Sequence, residues 1–272
     1  MRIELYKNPP QSPSGKPEDD FSPYLDTFLL PGACTPLGAV LILPGGGYHH
    51  RAYHEGDPVA MKFNQLGFHA FVLQYRAAPY NYPAPQLDAI RAIKIIRSHA
   101  AEWKLDPDKI AIGGFSAGGH LAACAGMLAD RYDLPQGDEA DNFSGQPNAM
   151  LLCYAVLSVK RTYTENGRTL RAGTPYCDEN GKELEFHELV NGNTIPAYVW
   201  HSADDPVVPS WCSLKFAEAM AANKRTCNLH MFPHAPHGRG LGYGHHDIEK
   251  WAQEAAQFLQ LWCDFPASSF NL

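Results

Sequence analysis

From about residue 38 onward, short apolar runs alternate with stretches of helical periodicity, and no other feature limits the possible folds as tightly. The runs at 39–43, 69–75, 109–113, 149–156, 195–200 and 227–232 read as strands. Between the second and third, Leu87, Ile90, Ile93, Ile96 and Ala100 recur at helical spacing, with Asp88, Arg91, Lys94 and Arg97 on another face. Asp57-Pro58 reads as an N-cap followed by proline at the first helical position, with Gly67 as the stop. Asp247 is placed to cap a last helix carrying Ile248, Trp251, Ala255, Phe258 and Trp262. Near-continuous apolar strands separated by amphipathic helices predict an α/β fold: a mostly parallel, doubly wound sheet with helices on both faces. At 272 residues the chain is long enough to bury such a sheet, so 1–272 is expected to form one domain.

Two segments leave this rhythm. Residues 1–30 form a leader that either supplies an edge strand or packs across the site. Residues 157–194 are polar, Gly-rich and weakly periodic, with Lys160, Arg161, Glu165, Arg168, Arg171, Asp178 and Glu179 among them. A structureless loop of that length is uncommon inside a compact domain, so it is expected to be a small lid-like insertion.

Charge and cysteine usage exclude other classes. The 22 Lys+Arg against 29 Asp+Glu leave a net charge of −7, and no basic stretch offers a nucleic-acid surface. No apolar run is long enough to span a membrane, and the N-terminus has no signal-peptide core. The seven Cys residues have no repeated spacing and no CxxC, the usage of a reducing compartment, so a cytoplasmic location is expected.

Gly114-Phe115-Ser116-Ala117-Gly118 is the strongest chemical signal. It matches GxSxG, follows the apolar run KIAIGG and precedes the Ala-rich helical stretch AGGHLAACAGMLA. A strand-to-helix turn this tight needs small residues around the serine, and it leaves the serine Oγ exposed above a helix N-terminus. The second signal is Pro44-Gly45-Gly46-Gly47-Tyr48, directly after the strand AVLIL. Consecutive glycines let backbone N–H groups approach a substrate oxygen, the task of an oxyanion loop. A phosphate-binding loop is the competing reading, but no GKS or GKT ending and no GxGxxG accompany it.

A serine needs a base and an orienting acid to become a nucleophile, in the order Ser, acid, His on such a sheet. AYVWHSADDPVVP supplies Asp205, with Asp204 as the alternative. NLHMFPHAPHGRGLG supplies His237, whose following Gly lets the loop turn; His234 is the alternative, and His230 reads as a packed strand residue. His49, His50, His54, His245 and His246 form no HExxH, and no carboxylate motif completes a metal site, so neither metal nor other cofactor is expected.

The chain resembles the α/β-hydrolase superfamily, and within it the small esterase/lipase group that includes acetyl-xylan and other carbohydrate esterases. The resemblance rests on LILPGGGY, FVLQYRAAPYNYPAPQLDAIRAIKIIR, EWKLDPDKIAIGGFSAGGHLAA, WHSADDPVVPSWCSLKFAEAM and FPHAPHGRGLG, in order over residues 38–240. It implies Ser116 as nucleophile, Asp205 as acid and His237 as base, with oxyanion donors from the amides of Gly46, Gly47 and Ala117. Pro44 stands where longer-known members carry His, and 157–194 matches no family pattern.

The expected activity is a serine carboxylesterase acting through an acyl-enzyme on short, acetyl-like esters, acetylated carbohydrates among them. Tyr48, His49 and Tyr82 are expected to bind substrate, with Tyr80 near the mouth and Trp211 either there or in the core. The expected partner is a small-molecule ester, with no nucleic acid and no membrane. Two rivals stand beside this: a peptidase using the same triad, whose relatives carry a large extra domain, and an inactive hydrolase fold used for binding. The second conflicts with a filled triad and oxyanion loop.

Overall fold

The computed structural model describes residues 1–165, 167–170 and 173–268. Its eight strands are β1 (Arg2–Glu4), β2 (Tyr24–Phe28), β3 (Leu37–Leu43), β4 (His69–Gln74), β5 (Leu105–Phe115), β6 (Ala149–Cys153), β7 (Ala197–Ser202) and β8 (Cys227–Phe232). Its helices are α1 (Asp57–Gln65), α2 (Ala84–Ser98), α3 (Ala100–Trp103), α4 (Ala117–Leu128), α5 (Phe186–Leu189), α6 (Trp211–Ala222) and α7 (Trp251–Cys263). One sheet runs β1-β2-β4-β3-β5-β6-β7-β8. β1 and β2 are antiparallel additions, and every pairing from β4 to β8 is parallel.

Alternate residues of each central strand enter opposite cores, which is why the strands read as unbroken apolar runs. Ala39, Leu41, Leu73, Ile112 and Val199 face α2, α4 and α6, packing with Ile93, Leu121 and Phe216. Val40, Ile42, Val72, Ala111 and Trp200 face α1 and α7, packing with Phe63, Trp251 and Phe258. The chain leaves β3 toward β4 on one side and β5 toward β6 on the other. That reversal makes a crevice at the carboxyl ends of β3 and β5, where open α/β sheets bind ligands.

Several local expectations change. The leader supplies β1 and β2, held by register pairs such as Ile3–Leu25 and Leu25–Leu73. Asp57 is the first helical residue rather than the cap, which is Gly56, and Pro58 sits within the first turn. Gly67 does end that helix region, at φ 90°. The strand expected at 149–156 ends at Cys153, because Tyr154 turns to φ 35°. Trp262 is 69% exposed, past the buried stripe of α7. The charged face of α2 is buried. Asp88 pairs with Arg76 at 2.6 Å, Arg91 with Asp138 and Asp141, and Lys94 with Asp133. Arg97 donates to the carbonyls of Pro107, Ser144 and Gln146. Groups this buried need such partners, and removing one from an ion pair typically costs about 3–5 kcal/mol.

Segment 157–194 has a buried underside and a charged top. Leu157, Val159, Tyr176, Leu184 and Phe186 join the core, while Lys160, Arg161, Glu165 and Arg168 are exposed. Isolated bridges Ser158–Glu185 and Cys177–Glu183 close it on itself, and a π-helical turn spans Lys160–Thr164. Arg171 lies outside the described residues. No helix among the described residues is long and apolar enough to cross a membrane.

Candidate active site

Ser116 stands between the end of β5 and the start of α4 at φ 52° and ψ −115°, a conformation an L-residue holds only when its surroundings force it. The surroundings leave no space for side chains. A β-carbon on Gly114 would lie 2.1 Å from the Gly118 carbonyl oxygen, and one on Gly118 would lie 2.1 Å from that of Leu43. Strand, serine and helix therefore close as a single sharp turn. The Ala117 amide is the first of α4, where N–H groups have no acceptor within the helix.

The loops after β7 and β8 bring in two further groups. His237 Nε2 lies 2.9 Å from Ser116 Oγ, and its Nδ1–H donates to Asp205 Oδ2 at 2.7 Å. That second bond fixes the tautomer, leaving Nε2 free to accept the serine proton. Asp205 Oδ1 accepts from the amides of Val207 and Val208 at 2.8 and 2.9 Å, and its side chain is 1% exposed. Burial acts to raise the Asp205 pKa. Donors from His201, His237 and the Val208 amide outweigh it and hold the carboxyl well below the usual carboxylate range. Gly238 follows the histidine at φ 77°, the left-handed turn that aims the ring.

The alternatives lie outside this chain of bonds. Asp204 is half exposed, sits 3.0 Å from His234 Nδ1 and accepts from the Ala235 amide, so it joins the acid loop to the base loop. His234 is exposed, and His230 pairs with Glu254 at 3.0 Å on the sheet's outer end.

Gly46 (φ 125°) and Gly47 (φ 64°) form the turn after β3, with the Gly46 carbonyl accepting from the amides of His49 and His50. Both glycines wall a cavity of about 360 Å³ that also holds Ser116 and His237. A second cavity, about 440 Å³, shares Gly47, Tyr163 and Tyr176 with it and reaches Tyr48, His49 and Tyr80. Tyr48 contributes a wall, but its hydroxyl is committed to His120 Nδ1 at 2.8 Å. That His120 is fully buried, and burial lowers its pKa to about 3. Tyr82 lines neither cavity: its ring packs edge-on to Tyr132, and its hydroxyl reaches Glu179. Trp211 also lies outside both, edge-on to His187 and with Arg161 over its ring. Among the described residues, no group of three or more His, Cys, Asp or Glu side chains converges as metal ligands would.

Three residues at the site escaped the sequence reading. His201, at the end of β7, donates from Nε2 to the Val208 carbonyl at 3.0 Å and lies 3.4 Å from Asp205 Oδ2, bracing the acid loop. Glu55 and Tyr154 form a buried pair beneath the loops. A lone acid before a helix and a tyrosine at a strand end carry no pattern that marks them.

Residues 25–220 match the BD-FAE family model. The chain is 35% identical to an endo-1,4-beta-xylanase B of Butyrivibrio fibrisolvens over 207 residues, covering 73% of this chain and 32% of that one. It is 27% identical to an acetylxylan esterase of Xylanibacter ruminicola over 221 residues, covering 78% of this chain and 44% of that one. It thus spans less than half of the length of these curated relatives. Among solved structures, an acetyl ester-xyloside bifunctional hydrolase from Caldicellulosiruptor lactoaceticus superposes with a TM-score of 0.85 at 34% identity, over 97% of each chain. The Est2 esterase of Thermogutta terrifontis with propionate bound gives 0.79 at 27% identity, over 99% of this chain and 96% of that one. The chain therefore belongs to the BD-FAE family, built on the α/β-hydrolase fold.

Proposed function

We propose that this chain is a serine carboxylesterase for short, acetyl-like esters with polar alcohols, acetylated carbohydrates among them. The observation that carries this is the unbroken relay from Ser116 Oγ through His237 to Asp205, at 2.9 and 2.7 Å, beside the Gly46–Gly47 turn. His237 takes the serine proton as Oγ attacks the ester carbonyl, and Asp205 stabilises the imidazolium that forms. The amides of Gly46, Gly47 and Ala117 receive the tetrahedral oxyanion. His237 then protonates the leaving alcohol, and water repeats the sequence on the acyl-enzyme. No cofactor enters this scheme.

The substrate class draws support from shape and from relatives. The triad cavity of about 360 Å³ suits a small acyl group, and the adjoining tyrosine-walled cavity suits a sugar ring. One relative is named an acetylxylan esterase, and another holds propionate. We read residues 1–272 as one domain with 157–194 as its lid, and the seven free thiols support a reducing, cytoplasmic setting. A panel of p-nitrophenyl esters from C2 to C12, with acetylated xylooligosaccharides, tests the substrate class. A site built for long chains gains ~0.8 kcal/mol per buried CH₂. The expected profile peaks at acetyl to butyryl; kcat/KM climbing steadily to C12 would overturn it. Labelling by a fluorophosphonate separates an active serine from an inert fold.

A further inference from the structure

Glu55 is a buried carboxylate that the reaction scheme does not use. It is 2% exposed and ends the short turn Tyr53–Glu55 between the oxyanion loop and α1. Its Oε2 accepts from the Gly45 amide at 2.7 Å, and its Oε1 accepts from the Tyr154 hydroxyl at 2.6 Å. The Tyr154 oxygen in turn accepts from the Gly240 amide at 2.9 Å. The adjacent His54 donates from Nε2 to the Gly238 carbonyl at 2.9 Å. Gly45 opens the oxyanion loop, and Gly238 and Gly240 follow His237 in the turn that carries it. The Tyr154 ring also lies against the imidazole of His237, centroids 4.9 Å apart and tilted 64°.

We propose that Glu55 is the positioning residue that locks the oxyanion loop and the histidine loop into one unit, through Gly45 on one side and Tyr154–Gly240 on the other. The inference rests on the triad reading above. Every proton in the chain points toward the carboxylate, so both of its oxygens must accept. A glutamine cannot do this. Its amide nitrogen would face either the Gly45 N–H, donor against donor, or Tyr154, whose hydroxyl proton would lose its acceptor. The close fit leaves no slack: a β-carbon on Gly45 would lie 2.7 Å from Glu55 Oε2 and 3.1 Å from Ser116 Cβ. A loop that shifts here moves the oxyanion donors relative to the nucleophile, and a displacement near 1 Å is enough to cost about 10²-fold in rate.

The experiment compares wild type, Glu55→Gln, Tyr154→Phe and the double variant with p-nitrophenyl acetate, normalising each rate to the sites titrated by a fluorophosphonate. The expected result is a fall in kcat of about 10–100-fold for each single variant with KM changed less than about threefold. The double variant should fall no further than the worse single one, because both break one chain of bonds. Multiplying losses, or Glu55→Gln at wild-type kcat per titrated site with only a lower melting temperature, would overturn the proposal and leave the triad reading standing. Wild-type protein that takes no label, or Ser116→Ala that still does, would overturn the triad reading and this inference with it.

Discussion

The loops that carry Ser116, Asp205 and His237 and the segment 157–194 above them are held by different means. Those three loops are fixed by backbone: glycines with no space for a side chain, a serine at φ 52°, and carboxylates that accept from amides. The segment above is closed on itself by backbone bridges, but side chains pack it onto the domain: Tyr176 on Tyr48 and His120, Phe186 on His120, while its charges face outward. The first arrangement holds a geometry to fractions of an ångström, which catalysis requires. The second holds a shape that walls the two cavities. Substitutions in the two regions should therefore act on different kinetic constants, and the following experiments test that division.

Ser116→Ala should have the largest effect, of order the ~10⁶ loss in kcat recorded for removing a triad serine elsewhere. The β-carbon and its strained backbone remain, so the melting temperature should hold. A variant keeping a tenth of wild-type turnover would place the chemistry elsewhere in the cavity.

Asp205→Asn should come next, at about 10⁴ in kcat, since the amide favours the wrong histidine tautomer. Asp204→Asn should cost less than about tenfold, because its carboxylate is half exposed and meets only His234 and the Ala235 amide. Comparing the pair is informative because neighbours in sequence differ so much in burial. A larger loss at Asp204 would mean that joining the loops matters more than orienting the base.

Stability should distinguish the same two carboxylates. The folded-state pKa of Asp205 is depressed, chiefly by its donors working against burial. Its contribution is then fully present above the unfolded value of about 4 and lost as pH falls through the lower folded value. The melting difference between wild type and Asp205→Asn should be constant from about pH 7 to 5 and shrink below about pH 4. A difference that grows in acid would mean the carboxyl is held protonated in the fold.

These contrasts also explain what could be read from sequence. Gly114, Ser116 and Gly118 were legible because the turn's steric demand is met within five residues of chain. For the acid and the base the sequence offered few candidates, Asp205 or Asp204 and His237 or His234, because each lies at a loop end after a strand; the structure puts His237 within hydrogen-bond reach of both Asp205 and Ser116. The Glu55–Tyr154 bond joins positions 99 apart through one hydroxyl, and no local pattern marks it. The charges of α2 read as a separate face, and the partners of Arg91, Lys94 and Arg97 that lie in 130–148 belong to a stretch with no periodicity to reveal that it covers the helix. The leader was read only as an edge strand or a segment packed across the site, because strands as short as β1, at the sheet edge, and β2 beside it, three and five residues, need little apolar content to mark their bounds. Tyr82, named from its place near the mouth in sequence, turns its ring to Tyr132.

The smallest expected effect lies in the upper segment, at Arg168. This exposed side chain borders the cavity that holds Ser116 and the groove beside Asp205, where its Nη1 makes a weak contact with the Val207 carbonyl at 3.5 Å. An exposed charge is screened by salt and contributes little to the loops beneath it. Arg168→Ala should leave kcat for p-nitrophenyl acetate unchanged and move KM by less than about threefold. For an acetyl ester of an acidic sugar, the KM increase should be larger and should fade between low and physiological salt, because the lost attraction is coulombic. A salt-independent change in KM would assign Arg168 a packing role. A tenfold fall in kcat would show that the segment holds the catalytic loops as well as covering them, and the division between a backbone-fixed floor and a side-chain-fixed roof would fail.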